Sequence, residues 1–177
     1  DDVIDEVGAD AFRVYEMFIG AFDLATPWST NGVKGCYKFL ERVWNLQSLI
    51  VDGDNYSKEL ENPVHKLIKK VSDDIEKMKF NTAVAAMMSF INECYKVGKV
   101  TKGEFKTFIT LLNPFAPHIT EELWEIQGFD GTLSEANWPK YDEEKTIDNE
   151  DYFRDMLFLK LHCYIVVERH FKIFSRK

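Results

Sequence analysis

An all-α helical bundle is the fold this sequence predicts, on three observations. Apolar residues recur at steps of three and four along most of the chain, strand-like alternation is scarce, and the breaks between periodic stretches are short. Five or six amphipathic helices on short loops bury their apolar stripes best against one another.

The first helix is expected over roughly residues 3–20, with Val3, Val7, Ala11, Val14 and Phe18 on one stripe and Gly20 at its end. "ATPWSTNG" follows as a loop. The second helix carries Val33, Tyr37, Leu40, Trp44 and Gln47 on its stripe, which places Trp44 in the core, and Lys34, Lys38, Glu41 and Arg42 off it. "VDGDNYS" breaks the pattern. A third helix starts near Ser57 or Pro63 and buries Val64, Leu67, Ile68, Val71, Ile75 and Met78. Its opposite face holds Lys66, Lys69, Lys70, Asp73, Asp74 and Lys77. A fourth follows "KFNT", with Val84, Met87, Met88, Ile91 and Tyr95 inward and small alanines for close helix approach. After the turn "KVGKV", Thr101 and Glu104 spell a capping box, so a fifth helix starts there and runs to Leu112.

"NPFAPHITEELWE", residues 113–125, then has two readings. His118 and Glu122 have the i, i+4 spacing of zinc-peptidase ligands, but no second histidine stands nearby. Helix-entry chemistry accounts for the stretch better. Pro117 suits a first helical position, Glu121 and Glu122 favour the positive end, and Ile119, Leu123 and Ile126 form a stripe. A sixth helix therefore starts at about Pro117.

Composition bounds the function classes. The chain has 177 residues, 45% hydrophobic and 14% aromatic, enough for a real core. No apolar run is long enough to cross a bilayer and no leader opens the chain, so a cytoplasmic protein without membrane partners is expected. The chain opens on Asp1 rather than Met, which reads as a trimmed piece of something longer. Cys36, Cys94 and Cys163 are odd in number and set among helix-patterned residues, so they read as reduced thiols. Lys and Arg total 22 against 30 Asp and Glu, net −8, which taken whole disfavours a polyanion partner. The charge is uneven, however. Residues 1–31 carry net −6, residues 32–107 net +3, and residues 108–177 net −5. Only the middle suits phosphate, although mixed charge on helices commonly just faces water.

No catalytic constellation emerges. There is no glycine-rich phosphate loop or nucleophile elbow. Cys94 reads as a buried thiol, Met87–Met88 as core filling, and Asp73–Asp74 and Glu143–Glu144 as solvated charges. His162, Cys163 and His170 lack metal-ligand spacing. No catalytic residue, metal ligand or cofactor is expected within the chain.

Four stretches together carry a resemblance: "DDVIDEVGADAFRVYEMFIGAF", "PWSTNGVKGCYKFLERVWNL", "MKFNTAVAAMM" and "LLNPFAPHITEELWE" with "WPKYDEE". In order and spacing they resemble the bacterial leucyl-tRNA synthetases, a class I aminoacyl-tRNA synthetase family, over about residues 1–148. The resemblance implies the anticodon-binding type of helical bundle. It implies stem-contact and linker helices over 1–50, following the lysine-rich ATP-signature loop, and the bundle over 51–147. It also implies a tRNA(Leu) partner, with ATP and magnesium belonging to a catalytic core outside this chain, so that the chain alone is inactive. The basic residues offered to tRNA phosphates are Lys34, Lys38 and Arg42 on the second helix and Lys66, Lys69 and Lys70 on the third, with ordinary solubilising lysines as the plain alternative. Arg13 is a further candidate, or a partner for acids within the first helix. His118 is expected as an inter-helix hydrogen-bonding residue, and Trp28 and Trp124 as structural.

The sequence departs from that family at Val7, where tyrosine is usual, and at Ala21, where proline is usual. Residues 148–177 are a divergent tail: an altered ending, a shifted reading frame or a fusion, with a helix favoured over a strand. Three functions follow: a tRNA-docking module of a synthetase, a subunit completing a split synthetase, or a remnant that kept the fold and lost RNA binding.

Overall fold

The computed structural model describes residues 2–21 and 25–147. The 148–177 tail, with Cys163, His162 and His170, lies outside the described residues, and Asp1–Lys145 form one compact unit. Its elements are α1 (Asp2–Val7), α2 (Ala9–Phe18), α3 (Thr30–Asn45), β1 (Ile50–Val51), α4 (Glu61–Glu76), α5 (Phe80–Val97), β2 (Val100–Thr101), α6 (Lys102–Leu112) and α7 (Pro117–Ile126). The fold is all-α. The strands make only a two-residue parallel ladder, Ile50 opposite Val100 and Val51 opposite Thr101.

The first helix is two helices, not one. Gly8 at φ +83° interrupts it, a backbone geometry that only glycine adopts cheaply. α3 begins at Thr30 because Ser29 caps it, its Oγ accepting from the Gly32 amide at 3.2 Å. α5 begins at Phe80, earlier than expected, so Thr82 lies in its first turn and not ahead of it. α4 stops at Glu76, and Met78 is a half-exposed residue at φ +54° and not part of the inward stripe. The Lys79 amide donates to Asp74 O at 2.7 Å and the Met78 amide to Ile75 O at 3.0 Å. This pair of bonds closes a helix end around a left-handed residue.

α4 and α5 pack along each other, α2 lies on α3 and α5, and α6 on α4 and α7. Phe105, Phe108, Ile109, Leu112, Phe115, Val84, Met87 and Ile91 are fully buried at the centre. Both described cysteines are buried free thiols, and burial pushes Cys36 up to about 11 and Cys94 to about 12. They behave as small apolar side chains. Among the described residues no helix is long and apolar enough to cross a membrane.

The α6 capping box forms as the sequence spells it, with a larger reach. Glu104 is fully buried. Its Oε2 accepts the Thr101 amide at 2.8 Å, and its Oε1 accepts both the amide and the hydroxyl of Ser57 at 2.6 Å. Ser57 in turn receives the Leu60 and Glu61 amides on its carbonyl and so opens the turn into α4. One carboxylate thus fixes the starts of two helices. Beside it the α6 backbone runs so close that a Cβ at Gly103 would stand 2.0 Å from Asp54 O.

Glu104→Ala orphans buried donors in both turns and should cost about 2–4 kcal/mol in urea unfolding, with Glu104→Gln costing less. Equal losses in the two variants would exclude side-chain volume, which Gln keeps, and place the effect in the carboxylate charge and its second acceptor oxygen.

Candidate nucleic-acid interface

The sequence-predicted cations fall in two groups. Lys34, Lys38 and Arg42 follow one another at four-residue steps on α3, and so lie along one face. Lys38 is exposed. Lys34 is exposed and stands 3.9 Å from the equally exposed Glu6, a pair worth little in water. The Arg42 guanidinium lies 4.9 Å from the centre of the Tyr95 ring, whose hydroxyl donates to Arg42 O at 2.9 Å. Arg42 therefore holds α3 to α5 and is half-buried there.

Lys66, Lys69 and Lys70 lie on α4. Lys66 is half-buried. Lys69 is ion-paired to Glu143 and lies 5.8 Å from the Tyr141 ring; the bond to Glu143 pushes its pKa up. Lys70 pairs with Asp74 at 2.6 Å. Asp74 is itself buried and also accepts the Thr82 hydroxyl at 2.6 Å, tying α4 to the first turn of α5. The reading of Asp73–Asp74 as a solvated pair is thus corrected for Asp74, because the first turn of α5 folds over it. α3 and α4 each rest on α5.

The reason α4 is more engaged than its sequence suggests lies far along the chain. The "WPKYDEEK" segment returns across it. Trp138 Nε1 donates to Ser72 Oγ at 2.9 Å, the Asp142 amide donates to His65 Nδ1 at 3.0 Å, and Lys145 Nζ meets Glu61 at 2.6 Å. These partners are 66 to 84 residues apart, and no local pattern announces them.

Trp44 is a second correction. It is 40% exposed, and Tyr37 is 43% exposed. The buried stripe of α3 runs through Val33, Cys36, Phe39, Leu40, Val43 and Leu46, offset by one residue from the expected one. Both stripes step by threes and fours and both are apolar, so spacing alone does not choose between them. Trp124 is buried as expected, donating to the carbonyls of Asp130 and Gly131. Trp28 is half exposed and packs edge-on to Tyr15 at 5.0 Å.

The "NPFAPHITEELWE" stretch proves to be a docking point for α2. Asp10, buried, accepts His118 Nδ1 at 2.8 Å and the Ile119 amide at 2.7 Å, so a carboxylate on α2 caps the first turn of α7. Arg13 reaches the same joint, its guanidinium donating to Pro114 O at 3.0 Å and not to acids within its own helix. Glu121 holds the amides of Leu133 and Ser134 at 2.8 Å each. Among the described residues no group of three His, Cys, Asp or Glu is placed to hold a metal ion.

His65 is buried against Tyr56, ring centres 5.4 Å apart, and burial, helped by the nearby Lys145 charge, holds its pKa below the ordinary histidine value. The neutral form is the folded form. Its contribution is complete above about pH 6.5 and is lost as pH falls through the lowered folded value. His65→Asn keeps an acceptor for the Asp142 amide and removes the titration. Thermal melts should show the parent chain losing more stability than this variant between pH 7 and pH 5; parallel curves would contradict it.

A sequence profile described as the anticodon-binding domain of tRNA ligase matches residues 57–173. The leucine–tRNA ligase of Alkaliphilus oremlandii is 59% identical over 149 residues, covering 84% of this chain and 19% of that protein. The Borreliella burgdorferi enzyme of the same name is 45% identical over 151 residues, covering 85% and 18%. The crystal structure of the ternary complex of Agrobacterium radiobacter K84 agnB2 LeuRS with tRNA and LeuAMS superposes with a TM-score of 0.72 at 30% identity, over 82% of this chain and 22% of that one. The chain spans about a fifth of the length of the curated relatives it matches.

Proposed function

The chain belongs to the family of anticodon-binding domains of tRNA ligases, and from that premise we propose that it is the tRNA-docking helical part of a leucyl-tRNA synthetase. In this reading residues 1–50 connect to a catalytic core and residues 51–147 form the bundle that places tRNA(Leu) for aminoacylation. ATP and magnesium serve that core in the cytoplasm, for protein biosynthesis, and this chain is catalytically silent by itself. The observation that carries the reading is the likeness to a LeuRS solved with tRNA, together with the row of exposed Lys34 and Lys38 and half-buried Arg42.

Phosphate contacts from such a row position an RNA without reading its bases. Of the six cations, Lys38 and Lys34 cost least to engage. Lys69 and Lys70 must first leave Glu143 and Asp74. That engagement, with the net charge of −8, supports the second reading, a remnant that kept the fold without RNA binding. A subunit completing a split synthetase is the third.

Fluorescence anisotropy with tRNA(Leu) at low and raised salt separates these. The docking reading expects affinity that falls steeply with salt. Lys38→Glu should weaken it and reduce the salt slope by about 1. Absence of binding, or binding indifferent to salt, supports the remnant. Restored leucylation on mixing with a separately made catalytic core supports the split enzyme.

A further inference from the structure

A groove of about 390 Å³ opens beside α2, α3 and α7. Val7, Ala11, Leu40 and Ile119 line it with apolar surface. Tyr37 and Trp44 also line it, both exposed, two turns apart on one face of α3. Large aromatics left in water over an apolar floor mark a surface that gains by being covered.

The charges of the groove specify the cover. Among the described residues its ionisable carboxylates are Asp10 and Glu41, and no lysine or arginine lines it. Asp10 is already satisfied by His118 and Ile119. Glu41 is exposed on α3, four residues after Tyr37 and three before Trp44, and so between the two rings. The segment that contributes Val7, Gly8, Asp10 and Ala11 to the groove, residues 1–31, carries net −6 along the sequence. A phosphodiester backbone is repelled here. A guanidinium on an aliphatic stem fits: the stem covers apolar floor, the planar head meets aromatic rings, and a carboxylate accepts its N–H groups.

We propose that this groove docks an arginine-bearing segment of the remaining part of the parent synthetase. The proposal rests on the reading that the chain works beside a catalytic core, and about four fifths of the length of its relatives lies outside the matched segment. The groove is then an intramolecular seat that faces protein, while the Lys34–Lys38–Arg42 row faces RNA.

The test uses the 177-residue chain, labelled with nitrogen-15 and titrated with short overlapping peptides that tile the remainder of the Alkaliphilus oremlandii ligase. Each arginine peptide is also made with citrulline, which is neutral and nearly the same shape. At least one arginine peptide should move the Trp44 indole and Tyr37 amide signals, and its citrulline form should bind about fivefold more weakly. Glu41→Gln should shrink that difference, and Trp44→Ala should abolish the peptide shifts while leaving tRNA anisotropy unchanged. The proposal falls if no peptide moves Trp44, if citrulline binds as well as arginine, or if tRNA moves the Trp44 signal instead. Loss of tRNA binding with the peptide shifts intact would strike the RNA reading alone.

Discussion

A carboxylate can be buried in a helical core only where donors fill its oxygens, because an unpaired buried charge costs several kcal/mol. The described residues bury three, and each is spent on a helix start. Asp10 caps α7 from α2, Glu104 fixes the first turns of α6 and α4, and Asp74 receives the Thr82 hydroxyl in the first turn of α5. Helix N-termini present free amides and the positive end of the helix dipole, so acid and helix satisfy each other. Apolar stripes alone tolerate sliding and rotation between helices. These joints do not: they fix α2 against α7, α6 against the turn into α4, and α4 against α5.

That placement separates two surfaces on α3. Cys36, Phe39, Leu40 and Val43 of α3 are buried, while Lys34, Tyr37, Lys38, Glu41 and Trp44 are left outside. One strip is cationic, exposed Lys34 and Lys38 with half-buried Arg42. The other is aromatic and acidic, Tyr37, Glu41 and Trp44. A single helix thereby presents chemistry for phosphate on one side and for a cationic protein segment on the other. The overall charge of −8 conceals this, since what a polyanion meets is the local field.

α4 shows how tertiary contact revises a charged face. Read alone, it is a lysine-rich surface helix. In the folded chain Lys70 is drawn to a buried aspartate, and Lys69 to Glu143 in a segment that returns from beyond α7. Trp138, Asp142 and Lys145 secure that return. Lys69 and Lys70 are held in ion pairs, Lys70 within α4 and Lys69 with the returning segment, and are less free to meet a ligand than Lys38 of α3.

The sequence by itself determined the helical class, the α6 capping box, the entry to α7 at Pro117, the burial of Cys94 and Trp124, and the family resemblance. These depend on neighbours within a few residues, or on motif order along the chain. Tertiary structure decided the rest. The α3 stripe was ambiguous because two apolar registers fit one period, and only packing against the neighbouring helices selected Val43 over Trp44. The fate of Asp74 and Lys69 depends on segments folded over them, and the break at Gly8 lies two residues before Asp10, which closes on α7. Periodicity records that a face is buried; which face, and against what, is fixed by contacts that close over a hundred residues of chain, as Asp10 with His118 does across 108.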